Sequence, residues 1–217
     1  MQRRAHESRP LLLEEIISYI NNIFWREVKD YLIFHSGAVK KGEKILLFPG
    51  FSGSGKSTLV AWHILKGWDY IGDDLIGISF KDQRIYPYPI PLRLKDPPEE
   101  IPRLFEKIPD IKIDYFRRRK RRFYYIQPGN LFQEIPLPAE DLCSFIFPNF
   151  SPKEGPILKR LDTKTTFTTL LLHCVNFSSR PAEAFDIASH LARKAPGYEL
   201  VYGGFEQIDD LMMGQSL

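Results

Sequence analysis

The sequence predicts an α/β domain, and three observations carry that expectation. Short β-rich apolar runs alternate with helical segments along the chain, the order expected of a sheet flanked by helices. A glycine-rich stretch, FPGFSGSGKST at residues 48–58, links one such run to the helix after it. The composition, 43% apolar and 26% charged with 16 Phe and 10 Tyr, is ordinary for a globular protein and supplies a sizeable core. At 217 residues the chain fits one large domain, or one domain with a small appendage.

Residues 11–26 read as an amphipathic helix. Leu12, Leu13, Ile16, Ile17, Ile20, Ile23 and Phe24 recur at three- and four-residue steps, with Glu14, Glu15 and Asn21 facing away. Residues 1–30 are thus expected as an N-terminal helical flank and 31–217 as the main domain. The runs YLIFHSGAVK and EKILLFPG follow as β-structure, joined by a tight turn at Lys41-Gly42. Residues 56–66 suit a helix that Gly67 ends. WDYIG, LIGISF and RIYPYPI read as strands, the last two forming a hairpin through Lys81-Asp82-Gln83.

Between about 87 and 140 proline and charge dominate, which argues against long helices. Irregular connections are expected there, around a short helix near 98–107 and a strand near 122–126. Beyond it, SFIFPNF reads as a strand and TKTTFTTLLLHCV as a helix. PAEAFDIASHLARKAPG reads as a helix with Pro181 at its start and Gly197 past its end. YELVYGG and FEQIDDLMM close the chain as strand and helix.

The bulk numbers exclude several classes. A net charge of +3 gives no polycation argument for nucleic acid. Cys143 and Cys174, the two cysteines, make no disulfide framework and lack metal-ligand spacing. No segment reaches the roughly 18 consecutive apolar residues of a membrane span. The run Leu11–Leu13 meets Glu14 and Glu15 at once, short of the about 7 residues of a signal-peptide core. A cytoplasmic protein that does not engage membranes is expected.

Gly50, Gly55, Lys56 and Ser57 satisfy G-x-x-x-x-G-K-[ST], the P-loop pattern of nucleotide-binding proteins. The chemistry requires these residue types. Glycine opens backbone conformations closed to others and lets N–H groups approach an anion. The loop residues Gly50, Phe51, Ser52, Gly53, Ser54, Gly55, Lys56, Ser57 and Thr58 would then curl around the phosphates of ATP, helped by the positive end of the next helix. Lys56 would meet the β- and γ-phosphates and Ser57 would ligate Mg²⁺. A flexible surface turn could match the pattern by chance, but KILLF before it and STLVAWHIL after it supply the strand and helix the motif needs.

Asp73 and Asp74 end the strand WDYIG, immediately after the helix runs out. Two adjacent carboxylates at a strand end can divide labour, one orienting the metal and one accepting a hydroxyl proton during phosphoryl transfer. The bland alternative is a solvated turn. His35, on the run before KILLF, is by itself no more than a packed histidine.

Taken together, FHSGAV, LFPGFSGSGKSTL and KGWDYIGDDLIGI, in this order and spacing over residues 31–79, resemble the catalytic domain of the HPr kinase/phosphorylase family. YPYPIPLRLK and APGYELVYGG resemble its short relatives more weakly. The resemblance implies a P-loop-containing, HPr-kinase-like catalytic domain with a mixed sheet and flanking helices. It implies an ATP-dependent serine kinase with Mg²⁺. Asp74 would be the proton acceptor, His35 an active-site residue near the hydroxyl or γ-phosphate, Lys56 the phosphate cation, and Ser57 and Asp73 the metal-side residues. The sequence has no copy of the family's Arg-Gly-Leu-Gly signature, so the resemblance leaves the acceptor open. The partner it implies is a protein or peptide bearing a serine, and it leaves room for a homo-oligomer. The competing readings are a sugar or nucleoside kinase and a regulatory module that binds nucleotide without chemistry.

The run RRRKRR, Arg117–Arg122, flanked by Tyr115, Phe116, Phe123, Tyr124 and Tyr125, combines cations with rings. It reads first as a solvated loop and next as a docking loop for an acidic polypeptide, with nucleic acid last. Arg122 is the foremost candidate to reach the transferring phosphoryl group, with Arg93 and Lys95 as rivals. His63, His173 and Cys174 read as core, and His190 as surface.

Overall fold

The apolar run of residues 45–48 has no polar face, as expected of a strand covered on both sides. That is its position in the computed structural model, which describes residues 12, 15–21, 23, 28–88, 90–118, 120–127, 129–132 and 136–213. Strand β3 (Lys44–Pro49) lies inside a six-stranded mixed sheet. The sheet also holds β2 (Ser36–Lys41), β4 (Asp69–Gly72), β11 (Leu142–Phe150), β12 (Ile157–Arg160) and β13 (Gly197–Tyr202), in the order β12-β13-β11-β3-β2-β4. Ile45 and Leu47 enter one core, while Leu46 and Phe48 enter the other. Phe145 and Phe147 of β11 point to the first core and Ile146 to the second, the same two-residue alternation.

The first core is closed by helices α4 (Thr163–Leu172) and α5 (Pro181–Lys194). A second sheet also covers it, of β1 (Tyr31–Phe34), β5 (Ile76–Ser79), β6 (Arg84–Tyr86) and β10 (Leu137–Pro138). The second core is closed by α2 (Lys56–Leu65), α3 (Glu100–Phe105) and α6 (Phe205–Met213). A third sheet, β7 (Leu92–Lys95), β9 (Arg121–Gln127) and β8 (Lys112–Arg118), lays Leu92, Leu94 and Ile126 on that same core. The expected α/β architecture, a mixed sheet with flanking helices, is present. Among the described residues no helix is long and apolar enough to cross a membrane.

Several expectations need correction. YLIFHSGAVK is not one strand: it breaks at His35 into β1 and β2, which belong to different sheets. The stretch 87–140 is more ordered than its prolines suggest, because β7 and β8 flank β9. Arg117–Arg122 is no loop but the end of the β8–β9 hairpin, in which Arg117 faces Arg122 and Arg118 faces Arg121. Residues 15–21 are helical (α1), yet the apolar stripe is not what meets the domain. Leu12, Ile16, Ile20 and Ile23 are exposed, and Asn21, expected to face away, accepts a hydrogen bond from Tyr88 Oη at 2.9 Å. Among the described residues of that stripe, Ile17 is the one that packs inward, against Phe116, Phe123 and Tyr125. Residues 11, 13, 14, 22 and 24–26 of the expected helix, Leu13, Glu14 and Phe24 among them, lie outside the described residues.

His63, on α2, fills core space as expected. It is 1% exposed, with Trp62 and Trp68 edge-on to its ring and Nδ1 2.8 Å from the Leu59 carbonyl. Burial lowers its pKa from 6.5 to about 4, against the opposing pull of that carbonyl. The unfolded chain therefore binds a proton that the folded chain refuses, and stability is lost as pH falls from the unfolded pKa towards the folded one. At about 1.4 kcal/mol per pKa unit, the contribution lost by about pH 4 is on the order of 3 kcal/mol. Urea midpoints measured across this interval should show the loss, and His63→Leu should flatten it.

Candidate functional site

Strand direction gathers the residues singled out in the sequence. β11 runs parallel to β3 and to β13, whereas β2 is antiparallel to both β3 and β4. Strands β3, β4, β11 and β13 therefore end on one edge of the sheet, and β2 begins there. The glycine-rich loop after β3, Asp73 and Asp74 after β4, and His35 before β2 are brought together on that edge. In open α/β sheets this edge is where ligands bind.

The loop's shape depends on glycine at two positions. Gly53 and Gly55 take φ of 87° and 102°, in the left-handed region. A β-carbon at Gly55 would also collide with the Tyr202 ring, whose hydroxyl donates to the Gly55 carbonyl at 2.8 Å. Gly50 N–H donates to the His35 carbonyl and Phe150 N–H to the Ser54 carbonyl, which tie the loop to the β1–β2 junction and to β11. Gly55 is also the N-cap of α2, where no side chain caps the helix and no acidic residue occupies the first turn. The positive end of α2 is left available for an anion. Phe51, Ser52 and Gly53 are exposed, whereas Lys56 is 4% exposed and donates from Nζ to the Phe51 carbonyl at 3.0 Å. Burial lowers the Lys56 pKa, and the charges of Asp73 and Asp74 offset part of that. Thr58 follows in the first turn of α2, half-buried.

The two carboxylates enter different surroundings, and the left-handed backbone of Asp74 (φ 69°) is where they diverge. Asp73 is 1% exposed and accepts from Ser57 Oγ at 2.7 Å through Oδ2. Its Oδ1 is buried without a hydrogen-bond partner among the described residues. Burial first, then the Asp74 charge, raise its pKa. Such an orphaned carboxylate oxygen beside a serine hydroxyl fits a hard divalent cation such as Mg²⁺. Asp74 lies 3.6 Å from His35 Nε2 and 3.8 Å from Arg93 Nη2. Burial pushes its pKa up, but the His35 ring, Arg93 and Lys56 outweigh it, and the net shift is down. Asp74 is thus held as an anion. Gly37 of β2 makes the arrangement possible, because a β-carbon there would stand 2.5 Å from Val60 and lift α2 off the sheet.

A cavity of about 200 Å³ opens beside Asp74, lined by His35, Ser52, Asp74, Arg93 and Tyr125, and also by Ser18 of α1. Of the three arginine or lysine candidates, Arg93 is the one at the site. Arg122 is held by Glu99 at 3.0 Å and by the Pro97 carbonyl, and Lys95 lies exposed at the end of β7. His173, read as core from its apolar neighbours, is a neighbour of the site as well. Its carbonyl accepts from His35 N–H at 2.8 Å, and its ring meets Phe51 at 4.5 Å. Tyr125, Tyr202 and His173 carry no motif that sequence reasoning could have used.

No protein-family model matches the chain, and no curated protein is significantly similar to it.

Proposed function

We propose that the chain is an ATP-dependent phosphotransferase, an HPr-kinase-like serine kinase that moves the γ-phosphoryl group of ATP to the hydroxyl of a serine in a protein or peptide. The observation that carries the reading is the division of the Asp73–Asp74 pair beside a buried lysine. One carboxylate is paired with the Ser57 hydroxyl and the other with His35 and Arg93.

In this reading residues 50–58 form a P-loop, whose N–H groups and Lys56 bind the β- and γ-phosphates. Ser57 and Asp73 would hold Mg²⁺, which supplies charge neutralisation of the phosphates when bound. Asp74 accepts the proton of the attacking serine hydroxyl as that oxygen bonds to the γ-phosphorus and ADP departs. His35 orients Asp74, and Arg93, fixed on β7, faces the charge that develops on the transferring group. Phosphoryl transfer of this kind is chiefly positioning and electrostatics, which an edge lined with one buried lysine, one arginine and two carboxylates supplies.

The test is incubation of the protein with Mg²⁺, γ-labelled ATP and a panel of serine-containing peptides, sugars and nucleosides. Label on a peptide serine is the expected result. Label on a sugar or nucleoside selects a small-molecule kinase instead. Nucleotide binding with no ATP consumption in any mixture selects a regulatory module.

A further inference from the structure

We infer that Ser18, on the chain's own helix α1, is a phosphoacceptor of this site, modified intramolecularly. The inference rests on the kinase reading above and specifies one substrate for it. Three residues of α1 line the cavity that also holds Asp74, His35 and Arg93: Ile17, Ser18 and Asn21. Positions 17, 18 and 21 share one face of a helix. Two of them seat the helix. Ile17 packs on Phe116, Phe123 and Tyr125 of the third sheet, and Asn21 accepts from Tyr88 Oη at 2.9 Å on the other side. Ser18 lies between these anchors.

The orientation of α1 is unusual for an amphipathic helix, and that is the second observation. A helix docked for stability buries its apolar stripe. Here Ile16 and Ile20 are exposed, and the face turned to the domain is the one carrying a serine and an asparagine. That choice presents a hydroxyl to the cavity. Among the residues lining it, Ser18 is the one aliphatic hydroxyl outside the glycine-rich loop.

The step balances without a further reactant. Ser18 Oγ forms a bond to the γ-phosphorus of ATP, and the bond from that phosphorus to the β,γ-bridging oxygen breaks. ADP leaves with the electron pair, and the hydroxyl proton passes to the Asp74 carboxylate.

The experiment uses the full chain with Mg²⁺ and γ-labelled ATP and no added acceptor, over a range of protein concentrations. Phosphate is located by peptide mass spectrometry, and ADP is measured in parallel. The expected result is phosphate on Ser18, with a rate constant independent of protein concentration. Ser18→Ala should lose the label while keeping its circular-dichroism spectrum, and Ser18→Thr should restore part of it. If a peptide or another residue is labelled while Ser18 stays unmodified, the inference is overturned and the kinase reading survives. A rate that rises with protein concentration overturns the intramolecular step. If neither ADP nor any labelled acceptor forms, both readings fall together.

Discussion

Asp74→Asn should leave nucleotide affinity within a few-fold and lower phosphoryl transfer by about 10²–10⁴, the range general-base catalysis contributes. The substitution keeps the shape of the side chain and removes the anionic oxygen that the serine proton would enter. Nucleotide affinity persists because the loop N–H groups and Lys56, on the β3–α2 connection, are untouched. Asp73→Asn acts on a different function. Its carboxylate is the partner of Ser57 Oγ, so its loss should shift the Mg²⁺ concentration needed for half-maximal rate rather than the rate at saturation. Single-turnover transfer to a serine peptide, with Mg²⁺ titrated for each variant, separates the two. Loss of transfer at saturating Mg²⁺ in Asp73→Asn, with Asp74→Asn active, would reverse the roles. Activity in both folded variants would remove the mechanism.

How much of this was legible in the sequence depends on how local each feature is. The glycine-lysine loop, the helix after it and the Asp pair are set by residues adjacent in the chain, and their placement follows from a strand–loop–helix–strand path. The break at His35 was not legible, because residues 31–34 and 36–41 both read as β-structure and only the tertiary fold assigns them to separate sheets. The basic run misled for a related reason. Arg117, Arg118, Lys120 and Arg121 are exposed at the end of a hairpin, while Phe116, Phe123 and Tyr125 form the buried face. Six consecutive basic residues hide that alternation. Arg93 and Tyr125 come to the site from strands that pair with each other across a long stretch, and no local pattern announces the pairing. The helix at 15–21 was legible in type but not in orientation. Periodicity locates an apolar stripe, but which face of the helix meets the domain is decided by Tyr88 and the third sheet.

Lys56→Ala is expected to separate activity from stability. Lys56 is buried between the loop and the carboxylate pair, and its charge is disfavoured there by desolvation, with Asp73 and Asp74 compensating in part. A buried charge in this position is weak evidence of stabilisation, because its desolvation opposes its Coulombic gain. Replacing it should leave the nucleotide-free protein folded but lower its melting temperature, because Asp73 and Asp74 lose a compensating charge. Transfer is another matter. Removing a preorganised group aimed at developing charge typically costs about 10²–10³ in rate, and in the proposed reading it would also remove a ground-state contact to the phosphates. The parent's melting temperature should rise with Mg²⁺ and ADP, since a ligand that binds only the folded state stabilises it by mass action. The variant's should rise far less at the same nucleotide concentration. Thermal melts with and without nucleotide, run beside a transfer assay, read both quantities. A variant that melts and turns over like the parent rules out Lys56 as the phosphate cation. A variant that unfolds without nucleotide assigns Lys56 a structural role, with its hydrogen bond to the Phe51 carbonyl holding the loop closed.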